Sequence, residues 1–348
     1  MTRVARLDGA VRTLYPGAFA LVMATGIVSN GFWILGHEAL SDVLLGVNLV
    51  AYPALVVGTA LRIVRHPREL WTDLVNPRLV FSFFTIVAGS DVLGLQLLMR
   101  GHTVPAVVLW VVALVVWLLL SYFSFAVLTF LNAGTGADVV HGGWLIAIVG
   151  TESLALLGAG IAPSLGSLTS LTFVLVYTLW GIGIVLYGIF VTLFSYRIFF
   201  LRVEPADMTP LFWVIMGAAA ISTNAGSTLL VTPTGLPFLE DMGPFVDGTT
   251  LILWAWATWW IPLLVVFGVW RHVVRGEPVV YHPAYWSLVF PMGMYTLATY
   301  RLALAADFAP LQDLPQGLIW VAFAAWAVTM AGLLRRVLVL LAAPRATA

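Results

Sequence analysis

The sequence predicts an all-α integral membrane protein in which ten transmembrane helices pair as five helical hairpins. Three observations carry this prediction. Apolar residues make up 61% of the 348-residue chain and charged ones 9%, with a mean hydropathy of +1.01, whereas soluble domains run near roughly 45–50% and 25%. The apolar residues fall into ten runs, each close to the ~20 residues that a helix needs to cross a bilayer. The arginines gather almost wholly in alternate loops between the runs.

The runs lie near 16–35, 42–63, 78–99, 105–130, 143–161, 168–201, 210–231, 249–270, 283–305 and 315–342, within one transmembrane domain over 1–348. The first follows Arg3, Arg6 and Arg12 as a signal peptide would. At about 20 residues it exceeds a signal core of about 7–15, and no small-x-small cleavage site follows, so it is span 1. Pro16, Pro77, Pro210 and Pro283 stand at or just before the starts of spans 1, 3, 7 and 9, where a missing N–H costs nothing. Span 5 opens on Gly142-Gly143-Trp144 instead. Span 6, from Leu168 to Leu201, is long enough to tilt or to protrude past the lipid. The even spans, such as Val107 to Leu120, are mostly Leu, Val, Trp and Phe. Trp33, Trp71, Trp144, Trp213, Trp270, Trp286 and Trp320 lie near span ends, as interfacial anchors do.

All sixteen basic residues are arginine. Fourteen fall on one side of the ten-span map, and only Arg100 and Arg301 toward the other. Short cytoplasmic loops collect Lys and Arg, so both termini are placed in the cytoplasm. Zero net charge leaves no basic surface for nucleic acid. The absence of Lys excludes Schiff-base chemistry, and the absence of Cys excludes disulfides, thiolate metal sites and iron–sulfur clusters. The six histidines sit in loops or at span ends without metal-ligand spacing. No nucleophile, base or metal cluster marks an enzyme, and no cofactor is expected.

The odd spans share a small residue, a hydroxyl and a variable residue: Ala24-Thr25-Gly26, Gly89-Ser90-Asp91, Gly150-Thr151-Glu152, Ser222-Thr223-Asn224 and Ala298-Thr299-Tyr300. Successive hydroxyls are 65, 61, 72 and 76 residues apart, one hairpin each time. Five hairpins therefore place polar, small-residue helices inside and apolar helices toward lipid. Thr25, Ser90, Thr151, Thr223 and Thr299 either line a shared central pathway or only let helices pack closely.

Asp91, Glu152 and Arg301 lie within the spans. Each would cost about 2.5–3.5 kcal/mol or more facing mid-bilayer lipid, so each should face the interior with a partner or water. Asp91 and Arg301 are close enough in depth to pair, as a structural salt bridge or as part of an outer mouth. Glu152 has no basic residue at its depth; it is either a protonatable pathway residue or a hydrogen-bonded structural carboxyl. Asn30 and Asn224 either donate to an anion or serve packing.

Pro16-Gly17-Ala18-Phe19 with Met23-Ala24-Thr25-Gly26-Ile27, Trp144-Leu145 with Val149-Gly150-Thr151-Glu152-Ser153, and Phe290-Pro291-Met292-Gly293 with Ala298-Thr299 form an ordered set. The set resembles the tellurite-resistance/dicarboxylate transporter family of the voltage-dependent anion channel superfamily, which includes plant slow anion channels and fungal sulfite and malate transporters. The resemblance covers all ten spans. It implies a quasi-fivefold ring of five hairpins around a central pore, a homotrimer, and Phe290 as the pore gate. It implies small anions as the transported partners, of the chloride, nitrate, sulfite or C4-dicarboxylate class. Asp91 and Glu152 add carboxyls to that anion route, which raises an alternative: a proton-coupled carrier of weak-acid or dicarboxylate anions in which Glu152 loads the proton. Abundant Arg and Ala without Lys point to a bacterial inner membrane.

Overall fold

The computed structural model describes residues 3–131, 140–205 and 207–342, and every regular element among them is helical. Arg345, among the fourteen arginines above, lies outside the described residues. In chain order the α-helices are α1 (Arg3–Arg12), α2 (Ala20–Ile34), α3 (Glu38–Arg65), α4 (Pro67–Leu74), α5 (Thr85–Leu98), α6 (Thr103–Ala126), α7 (Ile146–Ile161), α8 (Thr169–Phe200), α9 (Val214–Val231), α10 (Pro237–Glu240), α11 (Gly243–Val269), α12 (Trp286–Ala305) and α13 (Leu314–Ala342).

Eight helical stretches among the described residues are long and apolar enough to cross a membrane, two fewer than expected. The first expected span shortens to the 15 residues of α2, because residues 16–19 form turns closed by Ala18 N–H to the Tyr15 carbonyl and Ala20 N–H to the Gly17 carbonyl. The ninth, α12, carries Tyr295, Thr296, Thr299, Tyr300 and Arg301 in its second half, which lowers its apolarity.

Burial separates two layers. The stretches containing α5, α7 and α9 are 83%, 94% and 89% buried, whereas those containing α3, α6 and α13 are 11%, 17% and 17% buried. Contacts link the inner helices in the order α2, α5, α7, α9, α12, and α12 returns to α2. Each packs against the long helix that follows it: α3, α6, α8, α11 and α13 in turn. Those outer helices expose Val50, Leu119, Val185, Ile252, Trp259 and Val328, an apolar belt of the kind that lipid covers.

The inner helices start alike, because each begins in a tight turn. One-and-a-half turns of 3₁₀ helix precede α5 (Val80–Phe84), and shorter ones precede α7 (Gly142–Leu145), α9 (Pro210–Trp213) and α12 (Pro283–Tyr285). Gly142 is required by close approach: a Cβ there would stand 2.1 Å from the Leu211 carbonyl oxygen, closer than any side chain permits. Trp144 and Trp286, expected as interfacial anchors, are buried at these starts. Their indoles donate to the Pro77 carbonyl at 2.9 Å and to the Tyr281 hydroxyl at 3.2 Å.

Candidate functional site

The five inner-helix starts converge on a cavity of about 450 Å³, lined by Tyr15 before α2, Arg78 and Ser82 before α5, His141 before α7, Thr209 before α9 and His282 before α12. Arg197 from the last turn of α8 and Arg271 just beyond α11 complete the rim, and Asp207 is the one carboxylate in the lining. A helix N-terminus leaves backbone N–H groups unpaired and carries a partial positive charge. Several such ends together with Arg271 give the cavity a positive potential.

Each polar group is fixed by the local chain. Neither α7 nor α12 is preceded by Ser, Thr, Asp or Asn, and a histidine takes over the cap: Nδ1 of His141 accepts the Gly143 N–H at 2.8 Å, and Nδ1 of His282 accepts the Ala284 N–H at 3.1 Å. Nε2–H of His141 donates to the Arg78 carbonyl, which ties the start of α5 to that of α7. Arg197 donates to the Val140 carbonyl and forms a 2.9 Å ion pair with Asp207, so its charge is largely compensated. Arg271 donates to the neutral Met208 carbonyl, and its Nε is buried without a partner. Its charge therefore acts on the cavity.

Burial pushes the His141 imidazole down to about 4 from its ordinary 6.5, the Arg78 carbonyl bond opposing this and the Arg197 and Arg78 charges adding to it. The folded state thus prefers the neutral ring. Its contribution to stability is full above the ordinary value and is lost as the pH falls from 6.5 toward 4. Over that window the melting temperature of the purified protein should fall more steeply in the wild type than in His141→Gln; equal slopes would remove His141 from the account.

Four of the five expected lining hydroxyls are engaged with the outer layer. Thr25 accepts from the Trp326 indole of α13 at 2.9 Å, Thr151 from Trp117 of α6 at 2.7 Å, and Thr299 from Trp254 of α11 at 3.0 Å, while Ser90 shares a 2.8 Å bond with the Tyr52 hydroxyl of α3. Thr223 donates to the Ala219 carbonyl at 2.9 Å, and beside it the Ser222 carbonyl takes the Trp180 indole of α8. Thr25, Ser90, Thr151 and Thr299, with the Ser222 carbonyl in α9, hold the inner layer to the outer one.

The buried ionisable groups lie at seams between neighbouring hairpins. Asp91 accepts from Ser153 of α7 at 2.8 Å, and Glu152 accepts from Ser222 of α9 at 2.9 Å. One oxygen of each carboxyl has no partner, Asp91 Oδ1 and Glu152 Oε2. The expected pairing of Asp91 with Arg301 does not occur. Counted from the starts of α5 and α12, Arg301 lies about 14 Å deeper than Asp91 at ~1.5 Å per residue, Asp91 is turned toward α7, and Arg301 forms no ion pair among the described residues. Glu152 also presses on α8, where a Cβ on Gly183 would lie 2.3 Å from Oε1. Gly183→Ala should therefore destabilise the fold by about 1–3 kcal/mol through overpacking, and shortening the acid in Gly183→Ala/Glu152→Ala should recover part of the loss in a melting experiment.

Phe290 is 2% exposed on α12, one residue before Pro291, whose ring packs over Gly217 of α9. Thr299 faces the outer helix α11, and Phe290, nine residues earlier, is about 180° around the helix from it. Arg301, eleven residues beyond Phe290, returns to within about 20° of the same inward face.

A model of the voltage-dependent anion channel family matches residues 13–334. The chain belongs to that family. Two uncharacterized transporters of Methanocaldococcus jannaschii are each 26% identical to it, one over 333 residues that cover 92% of both chains, the other over 324 residues that cover 90% of this chain and 91% of its own. An uncharacterized membrane protein of Mycobacterium tuberculosis is 38% identical over 138 residues, 40% of this chain and 70% of its own length. This member of the voltage-dependent anion channel family is thus a membrane protein of a transporter or channel class.

Arg78, Arg197, Arg271, His141 and His282 carry the cavity, and none was expected as a site residue. A signal exists: Arg78, His141 and His282 directly adjoin Pro77, Gly142 and Pro283, the residues that punctuate the inner-helix starts. The arginines also mark topology, which hides their second role.

Proposed function

We propose that the protein passes small anions across a membrane through the centre of the inner helices, and that Phe290 gates the passage. In this reading ten spans form five hairpins in a quasi-fivefold ring, with α2 and α12 crossing as the two spans that apolarity alone does not mark. The observation that carries it is the cavity where the inner-helix starts meet, with Arg271 uncompensated by any carboxylate among the described residues. The distribution of arginines puts this mouth in the cytoplasm. Facing away from the outer-layer hydroxyl bonds, Phe290 and Leu297 present an apolar constriction that can gate by excluding water. The family description supports anions; chloride, nitrate, sulfite and C4-dicarboxylates are the candidates that the sequence resemblance offers.

Purified protein in liposomes tests the reading: chloride, nitrate, sulfite and malate flux should exceed that of empty liposomes, while sodium flux should not. Cation flux equal to anion flux would refute it. The proton-coupled alternative needs Glu152 on the anion route, yet its carboxyl lies against Ser222 and Gly183, in the seam with the outer helix α8. Glu152→Gln should accordingly leave the pH dependence of anion flux unchanged. A pH dependence abolished by Glu152→Gln would favour the carrier.

A further inference from the structure

We infer that a second anion site lies beyond Phe290 from the arginine-lined cavity, built by Asn30 of α2 and Asn224 of α9, and that it selects small oxyanions bearing their own O–H. The inference rests on the central passage proposed above. Asn30 is fully buried, and neither its Oδ1 nor its Nδ2 has a partner. Asn224 is 3% exposed with Oδ1 unpartnered, and its Nδ2 reaches the Met294 sulfur of α12 at 3.6 Å, a weak acceptor. Buried amides without partners are costly and rare in folded chains. Two of them at one depth point to something that binds there.

Their position follows from the repeat. Asn30 and Asn224 each stand eleven residues beyond the residue that precedes its helix, Phe19 and Trp213. Phe290 stands five beyond Tyr285, so the asparagines lie about 9 Å deeper at ~1.5 Å per residue. Both turn inward. Asn30 is about 140° around α2 from Thr25, which faces α13, and Asn224 is about 160° around α9 from Gly226, which faces Trp180 and Thr250 of the outer helices. Arg301, further along the face of α12 that carries Phe290, supplies positive charge with no carboxylate paired to it among the described residues. Of the nearby hydroxyls, that of Thr228 is spent on the Asn224 carbonyl and that of Thr296 on the Met292 carbonyl, whereas the buried Ser227 hydroxyl, one turn beyond Asn224, has no partner.

The open groups therefore comprise both amide N–H groups of Asn30, the second N–H of Asn224, the Ser227 hydroxyl, and carbonyl acceptors on Asn30 and Asn224. Chloride or nitrate answers the donors, and since the one Ser227 hydroxyl can serve a single acceptor, it leaves at least one amide carbonyl oxygen unpaired. An oxyanion with a hydroxyl, such as hydrogencarbonate, accepts from Asn30 Nδ2 and donates to a carbonyl oxygen. Nitrate has the same planar shape and charge as hydrogencarbonate and lacks the O–H, so the two separate hydrogen-bond recognition from size and charge.

The test is the thermal stabilisation of the purified protein by sodium hydrogencarbonate, nitrate and chloride at constant ionic strength. Hydrogencarbonate should stabilise the wild type at about tenfold lower concentration than nitrate does. Asn30→Leu and Asn224→Leu should erase that preference, and Arg301→Gln should weaken both oxyanions alike while keeping their order. Asn30→Ala and Asn224→Ala stand in if the leucine variants do not fold. Equal stabilisation by the two oxyanions in the wild type, or a preference that survives both asparagine variants, overturns the proposal and leaves water as the occupant. Binding is read without transport. A protein that prefers hydrogencarbonate yet passes no anion keeps the site and loses the passage; one that conducts without the preference keeps the passage and loses the site.

Discussion

Phe290→Ala should raise chloride and nitrate flux by roughly tenfold or more, because it removes a large apolar side chain from the inward face of α12 and lets water into the constriction. The side chain is 2% exposed and part of the main buried cluster. Its removal should also cost about 3–5 kcal/mol of stability, as core Phe→Ala changes do. Flux must therefore be compared at equal amounts of protein that elutes as a single folded species. A gate predicts higher flux from a less stable protein, whereas a packing residue predicts lower stability and no gain in flux. Phe290→Trp, which keeps the bulk, should not increase the flux.

The second large effect belongs to Arg271. Arg271→Gln keeps a hydrogen-bond donor for the Met208 carbonyl while removing the charge that no carboxylate balances among the described residues. At about 8 Å and an effective dielectric near 20, one unit charge changes the energy of an anion by about 2 kcal/mol, which bounds the loss of flux at roughly thirtyfold. Ions in the mouth screen that interaction, so the loss should be several-fold at low salt and shrink toward none near ~1 M. Arg271→Lys should behave as the wild type. Arg197 makes a poorer probe, because its charge is bound to Asp207 and its loss would also break the bond to Val140. A loss in Arg271→Gln that is independent of salt would mean a structural role.

The layering was readable from the chain because its causes are local. Pro77, Pro210 and Pro283 and the Gly142-Gly143 pair open the buried helices, and the hydroxyl recurs once per hairpin. What a depth count cannot give is rotation about each helix axis, which neighbouring helices settle. Asp91 turns to Ser153 of α7 and not toward α12, and the starts of α5 and α12 leave Arg301 about 14 Å deeper than the acid at ~1.5 Å per residue. Thr25, Ser90, Thr151 and Thr299 keep their expected period, yet aromatic donors on the outer helices orient them away from the centre. The arginines of the mouth were legible as topology and illegible as a site, since Arg197 and Arg271 come from the ends of outer helices and meet the inner starts only in the folded protein.

The central claim is that anions pass along the inward faces of α2, α5, α7, α9 and α12. The chain has no cysteine, so single cysteines can be placed without background labelling. The most direct measurement is liposome anion flux in Phe290→Cys and Thr25→Cys before and after a small, negatively charged methanethiosulfonate reagent. Flux that the reagent reduces in Phe290→Cys and leaves unchanged in Thr25→Cys is the predicted result. Flux that the reagent leaves unchanged in Phe290→Cys, with mass spectrometry showing the thiol modified, would contradict a passage past that residue.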